Sequence, residues 1–359
     1  MPEQQPPITI GVVGARGLVG QEALAILHQR GYSPKALRVF GSSRSVGLTV
    51  PYADTELTLE PLEAITHNPP TFVLCCADGA TARSTADLLS KSTSTIIDNS
   101  SAFRMIPEVP LVIPEVNGEQ LVQQPRVIAN PNCSTIMLLT ALNPLRAAFG
   151  VRAVQVSTYQ AVSGAGRAGL ESLRDQTHAA VQDRPIPDGI FPVPCAFDVF
   201  EHESAIDPDS GFNGEESKMI AESQRIWAMP DLSVLPTCVR VPVQRAHAQA
   251  ITVELNRTVS VATVQDILAR APGVNIAPPG SPLTPASIAG SDEVHIGRIR
   301  VDPNDARRVL LWVCCDQIRK GAALNAVQIM NRLIELRHQS SSSGRTTSVH
   351  SAPGYASTS

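Results

Sequence analysis

The chain has 359 residues, 43% of them hydrophobic, enough to bury a full core and to build two domains. Lysine and arginine total 29 against 33 aspartate and glutamate, a net charge of -4, and no basic stripe stands out, which argues against a nucleic-acid partner. The start, Met1-Pro2-Glu3-Gln4-Gln5-Pro6-Pro7, has neither a basic region nor an apolar stretch, and no apolar run nears the ~18 residues of a membrane span, so a soluble, cytoplasmic protein is expected.

Along the first third, short β-branched runs at 8–13, 37–40, 71–76, 95–97 and 127–129 alternate with helical stretches such as 22–30. The alternation predicts an α/β unit with a parallel sheet, a Rossmann-type dinucleotide-binding domain over 8–132. Between the first strand and the first helix lies Gly14-Ala15-Arg16-Gly17-Leu18-Val19-Gly20. Glycines at every third position allow a tight turn, close approach of backbone to a pyrophosphate and close helix–strand packing. The helix N-terminus then faces the negative charge. The spacing departs from the commoner Gly-x-Gly-x-x-Gly, and a βα turn can carry glycines for structural reasons alone. Its place in the first βα unit favours nucleotide binding. The second strand leads into Gly41-Ser42-Ser43-Arg44-Ser45, with no acid for a ribose 2′-hydroxyl. Taken alone, this segment reads equally as a solvated turn. After a glycine-rich loop, Arg44 and Ser45 point to a 2′-phosphate and so to NADP.

Ala129-Asn130-Pro131-Asn132-Cys133-Ser134-Thr135 follows the strand at 127–129 and opens an apolar helix over 136–142. A cysteine there meets unpaired N–H groups and the positive end of the helix dipole, which favours thiolate. The same N–H groups suit a developing oxyanion. Cys75, Cys76, Cys195, Cys238, Cys314 and Cys315 read instead as buried fillers; no spacing suits a metal, and the odd count of seven suits a reducing compartment. Beyond Asn143-Pro144, longer alternating strands at 154–158, 238–243, 250–255 and 309–314 predict an α+β catalytic and dimerisation domain over 133–320, with one exposed or dimer-facing sheet. The Pro-rich stretches 184–194 and 277–285 read as loops. Helical periodicity returns over 321–338 and completes the first domain, while 1–7 and the Ser-rich tail 339–359 are expected to be flexible.

Further motifs follow in order: Asp98-Asn99-Ser100-Ser101-Ala102-Phe103-Arg104, Tyr159-Gln160-Ala161-Val162-Ser163-Gly164-Ala165-Gly166, Glu215-Glu216-Ser217-Lys218, Arg240-Val241-Pro242-Val243 with His247 beyond, Gly297-Arg298-Ile299-Arg300, and Gly321-Ala322-Ala323-Leu324-Asn325-Ala326-Val327-Gln328. With the two loops above, their order and spacing resemble those of the bacterial aspartate-semialdehyde dehydrogenases over roughly residues 8–336. The resemblance implies a homodimeric enzyme that reduces L-4-aspartyl phosphate with NADPH to L-aspartate 4-semialdehyde and phosphate through a cysteine thioester, in the biosynthesis of lysine, methionine, threonine and diaminopimelate. It implies Cys133 as nucleophile and His247 as acid–base partner, with Gln160, Glu215 and Arg240 binding the amino-acid portion and Arg104 and Lys218 the phosphate. It places Ser163, Gly164 and Asn325 on the nicotinamide side of the cofactor.

N-acetyl-γ-glutamyl-phosphate reductase shares this chemistry, but its nucleophile usually follows Pro-Gly, whereas Pro131-Asn132 precedes Cys133 here. An acetylated amine is also neutral and gains little from a carboxylate such as Glu215. The Ser-Cys-Thr-Thr neighbourhood of glyceraldehyde-phosphate dehydrogenase is absent. A non-catalytic paralogue is expected to lose the nucleophile or the base, and both are present.

Overall fold

The computed structural model describes residues 8–343, with side chains through 339. The expectations for 1–7 and 344–359 lie outside the described residues.

The first half opens with β1 (Ile10–Val13), α1 (Leu18–Gln29), β2 (Leu37–Gly41), β3 (Thr49–Tyr52) and β4 (Thr55–Pro61). It continues with β5 (Phe72–Cys75), α2 (Gly79–Leu88), β6 (Thr95–Asp98), the short α3 (Pro114–Asn117) and β7 (Val127–Ala129). The strands form one sheet in the order β3-β4-β2-β1-β5-β6-β7, parallel except for the β3–β4 hairpin at its edge. Successive strand residues point to opposite faces, and both faces are covered. Phe72 and Leu74 join a cluster with Leu24 and Leu27 of α1, while Val73 and Cys75 pack with Ala82 and Leu89 around α2. The hairpin was not among the expected elements. Its strands are mostly exposed and threonine- and glutamate-rich, so they lack the apolar run that marks the buried ones.

The second half runs α4 (Cys133–Phe149), β8 (Val151–Ala161), α5 (Arg167–Val181), β9 (Phe200–Glu201), α6 (Gly214–Ile226), β10 (Ser233–Val241) and β11 (His247–Leu255). Then come α7 (Val261–Ala269), β12 (Val274–Ile276), α8 (Pro285–Ile288), β13 (Val294–Asp302) and β14 (Asp305–Cys315). These strands form a mixed sheet in the order β12-β13-β14-β11-β8-β10-β9. Helices α4, α6 and α7 bury one face through Leu138, Leu142, Met219, Ile226, Val264 and Leu268. On β10, Val234 and Cys238 are buried while Ser233, Leu235 and Thr237 are exposed, so the other face lies open. One covered and one open face is what the alternation predicts.

The chain returns through a π-helical turn (Arg319–Ala323) to α9 (Leu324–Ser343), whose Val327, Met330 and Leu333 pack beneath the first sheet. The helix continues through Ser343, past the expected end at His338. Once the apolar turns are anchored, each further turn adds its hydrogen bonds without a new nucleation cost.

Candidate active site

The second sheet aims its functional side chains by topology. β8 and β10 are parallel, and Gln160 stands opposite Arg240 near their C-terminal ends. β11 runs antiparallel to β8, so its first residue, His247, starts at that same end. Gln160, Arg240 and His247 are almost fully buried there. The first two turns of α6 bring Glu215 and Lys218 to the same place, the N-terminus of α4 brings Cys133, and the first turn of α1 brings Val19. All line one cavity of about 350 Å³, together with Arg104, Ser163, Gly164, His202 and Glu203.

Cys133 is the first residue of α4, as expected, and is partly exposed to the cavity. Its expected activation is not present in this geometry. Burial, and next the Glu215 carboxylate, push the thiol up to about 11, against smaller opposing effects of Arg104 and Ser134. Asn132 caps the helix, its Oδ1 accepting from the Ser134 and Thr135 N–H at 2.9 and 3.3 Å, so the help expected from the helix start is shared with the cap, and what the Ser134 N–H still gives the thiol is one of the smaller effects. The Asn132 N–H donates to Glu222 Oε2 at 2.7 Å.

Glu215 is the electrostatic hub. Burial alone would raise its carboxyl, but Lys218, His202, and hydrogen bonds from Asn132 and Gln160 outweigh that and hold it down at about 2. Its Oε1 accepts from Asn132 Nδ2 at 2.8 Å and Gln160 Nε2 at 3.2 Å, and its Oε2 faces Lys218 Nζ at 3.3 Å. The pair spans one helical turn, so the i,i+3 spacing does place both on one face.

His247 is pulled down to about 3, first by burial and then by the Arg240 charge, so its imidazole is neutral. The Ala161 N–H donates to His247 Nδ1 at 3.0 Å, which leaves the ring proton on Nε2. A Cβ added at Gly164 would lie 3.5 Å from that nitrogen, so glycine keeps the approach open.

Arg104 is held from three sides: Nε donates to the Asn130 carbonyl, Nη2 to the Asn99 carbonyl, and Nη1 pairs with Glu222 at 3.1 Å. Two of its five N–H groups remain for a ligand.

At the far side of Val19, Gly14 adopts φ +77°, and an added Cβ would meet the Cys76 carbonyl oxygen at 2.7 Å. At Gly20 a Cβ would lie 2.3 Å from the Gly14 oxygen, so neither position admits a side chain without moving backbone. Helix α1 starts at Leu18 with no side-chain cap. A tight glycine turn below an uncapped helix start fits a pyrophosphate. Arg16 and Arg44 are exposed and, among the described residues, have no ionic or hydrogen-bonding partner. Ser45 shapes the turn, its N–H donating to the Ser42 carbonyl at 2.7 Å.

Two family models match the chain: semialdehyde dehydrogenase, NAD binding domain, over residues 9–124, and semialdehyde dehydrogenase, dimerisation domain, over 142–320. The aspartate-semialdehyde dehydrogenase of Synechocystis is 38% identical over 333 residues, covering 92% of this chain and 98% of that one. That of Bacillus subtilis is 39% identical over 338 residues, 91% and 97% of the two chains. The crystal structure of aspartate semialdehyde dehydrogenase II complexed with ASA from Vibrio cholerae superimposes with a TM-score of 0.88 at 35% identity, covering 92% and 99%. The chain belongs to the aspartate-semialdehyde dehydrogenase family.

One expected site residue lies elsewhere. Asn325 is fully buried behind the cavity wall, where its Nδ2 donates to the Val112 carbonyl at 3.0 Å and to Asn130 Oδ1 at 2.6 Å. It also accepts from the buried Lys320 Nζ at 3.1 Å, so it braces the loop before Cys133 and is not among the residues lining the cavity. Three residues lining the cavity, and Glu222 buried behind it, carry no sequence signal of their own. Glu222 lies two helical turns beyond Glu215, and Asn132 was seen only as a neighbour of the nucleophile. His202 and Glu203 sit in an irregular segment after a two-residue strand. Only a search for polar residues facing inward from α6 could have found Glu222.

Proposed function

We propose that this chain reduces L-4-aspartyl phosphate to L-aspartate 4-semialdehyde, releasing phosphate, through a thioester on Cys133. The observation that carries the reading is the convergence of Cys133, His247, Gln160, Glu215, Arg240 and Lys218 on one cavity that opens toward the glycine loop through Val19.

Cys133, as thiolate, attacks the acyl carbon, and the carbon–oxygen bond to phosphate breaks. Arg104 and Lys218 offer N–H donors to the departing dianion. Gln160, fixed by a 2.7 Å bond to Ser134 Oγ, orients the acyl group. Glu215, ionised at neutral pH, takes the α-ammonium, and Arg240 the α-carboxylate. A nicotinamide cofactor, when bound, supplies the hydride that reduces the thioester. His247 Nε2–H meets the oxygen that gains charge. Acting also as base toward the thiol requires the other tautomer, which breaks the Ala161 bond.

NADP is proposed over NAD because Arg16 and Arg44 are unpaired cations beside a turn that lacks a carboxylate. Ser163 and Gly164 stand on the nicotinamide side. The open face of the second sheet suits a homodimer, since an exposed leucine such as Leu235 gains by burial. No helix among the described residues is long and apolar enough to cross a membrane, and we place the enzyme in the cytoplasm.

The test is turnover with aspartate semialdehyde, phosphate and NADP, followed by NADPH absorbance, beside the same assay with N-acetylglutamate semialdehyde. Turnover of the acetylated compound alone would overturn the reading in favour of the reductase that shares this chemistry.

A further inference from the structure

Arg240, assigned above to the substrate α-carboxylate, does not present an empty fork. Its Nε donates to Glu203 Oε2 at 3.2 Å and its Nη2 to Glu203 Oε1 at 2.6 Å, two parallel bonds to one carboxylate. Its Nη2 also donates to His202 Nε2 at 3.0 Å, and its Nη1 to the Ala161 carbonyl at 2.9 Å. Four of the five N–H groups are therefore engaged. The guanidinium edge used by Glu203 is one of two that bind a carboxylate by two points, and it cannot hold two carboxylates at once; the other edge, Nη1 and Nη2, is already drawn on by the Ala161 carbonyl and His202.

The two partners differ in freedom. The Arg240 side chain is 2% exposed and boxed in by the sheet, whereas that of Glu203 is 24% exposed and lines the cavity. Glu203 follows the two-residue β9, and the chain there is pinned by the His202 N–H on the Cys238 carbonyl at 2.9 Å. The backbone can stay while the three side-chain torsions of Glu203 swing its carboxylate toward water. Leaving Arg240 unpaired and buried is costly, so the exchange works only if another carboxylate takes the seat.

We propose that Glu203 is a displaceable internal ligand that holds the α-carboxylate seat of Arg240 and sets its selectivity among anions. The inference rests on the assignment of Arg240 to that carboxylate. An incoming carboxylate must beat Glu203, and one whose α-ammonium also reaches Glu215 has the second contact that lets it do so. A simple anion with no ammonium lacks that help and is turned away.

The experiment is calorimetric titration of the full chain with L-aspartate, for wild type, Glu203→Gln and Arg240→Leu, with acetate as the simple anion. Glu203→Gln is expected to lower the Kd for L-aspartate by about tenfold, the scale of one charge-assisted hydrogen bond. Acetate should gain at least as much, narrowing the preference for L-aspartate, and the KM for aspartate semialdehyde should fall in parallel. Unchanged or weaker binding of L-aspartate by Glu203→Gln would overturn the proposal, because Glu203 would then hold Arg240 or the ammonium in place. Arg240→Leu separates the two levels: if it leaves L-aspartate binding intact, the assignment of Arg240 itself fails. Should Glu203→Gln not fold, Glu203→Asp shortens the reach and weakens the pair, and tightening in the same direction is expected.

Discussion

Glu215→Gln should have opposite effects on turnover and on the reactivity of Cys133. With the thiol pushed up to about 11, about one molecule in a thousand carries thiolate at pH 8 in the free enzyme. The wild-type alkylation rate should therefore still be climbing at about pH 10, where an ordinary thiol, titrating at about 8.5, has levelled off. Glu215 is the second cause of that high value, and removing a close like charge shifts a pKa by about 1–3 units. Each unit of lowering gives about tenfold more thiolate and about threefold less nucleophilicity, a net gain of about threefold. A shift of one to two units thus predicts about three- to tenfold faster reaction with iodoacetamide at pH 8. Turnover should fall in the same variant, because the α-ammonium loses its partner. The assay is pseudo-first-order alkylation with mass-spectrometric quantitation of the Cys133 peptide. Slower alkylation in Glu215→Gln, or a wild-type plateau reached by about pH 10, would refute the electrostatic argument.

Arg44→Ala should weaken NADP binding far more than NAD binding; equal losses, measured by fluorescence titration, would remove Arg44 from the 2′-phosphate. His247→Gln, which keeps an amide N–H donor, should retain more kcat than His247→Ala, whose loss should be about 10²–10⁴-fold; equal losses would favour the base over the donor. Lys320 is fully buried, with Glu115 at 2.8 and 2.7 Å and Gln328 at 2.8 Å. Lys320→Met should cost about 3–5 kcal/mol in urea unfolding by stranding Glu115, and adding Glu115→Gln should recover part of it.

The parallel sheet was legible because its strands are continuous apolar runs buried on both faces, and β1 and β5 fall within one or two residues of the runs that announce them. The threonine- and glutamate-rich hairpin β3–β4 gave no such signal. The place of Cys133 at the start of α4 followed from an Asn-Pro-Asn segment between a strand and an apolar run. Its protonation state did not, because that depends first on burial and next on Glu215, 82 residues later in the chain and brought close only by the fold. The same holds for His247, whose imidazole near 6.5 in water is moved down by burial and by Arg240. Glu203 and His202 were invisible for the complementary reason: no periodicity surrounds them, and their meaning lies in what Arg240 does with its five donors. The burial of Asn325 had no signal in the sequence, since a polar residue on a helix is by default exposed.

The covalent step is the centre of the account, and trapping it is the most direct test. Enzyme mixed with aspartate semialdehyde and NADP, in the absence of phosphate, should accumulate the acyl adduct, and peptide mass spectrometry should find it on the peptide containing Cys133. Cys133→Ser should carry no adduct and show no turnover while still binding NADP, since a hydroxyl is a far weaker nucleophile at neutral pH. An adduct on any of the other six cysteines, or substantial turnover by Cys133→Ser, would contradict the account.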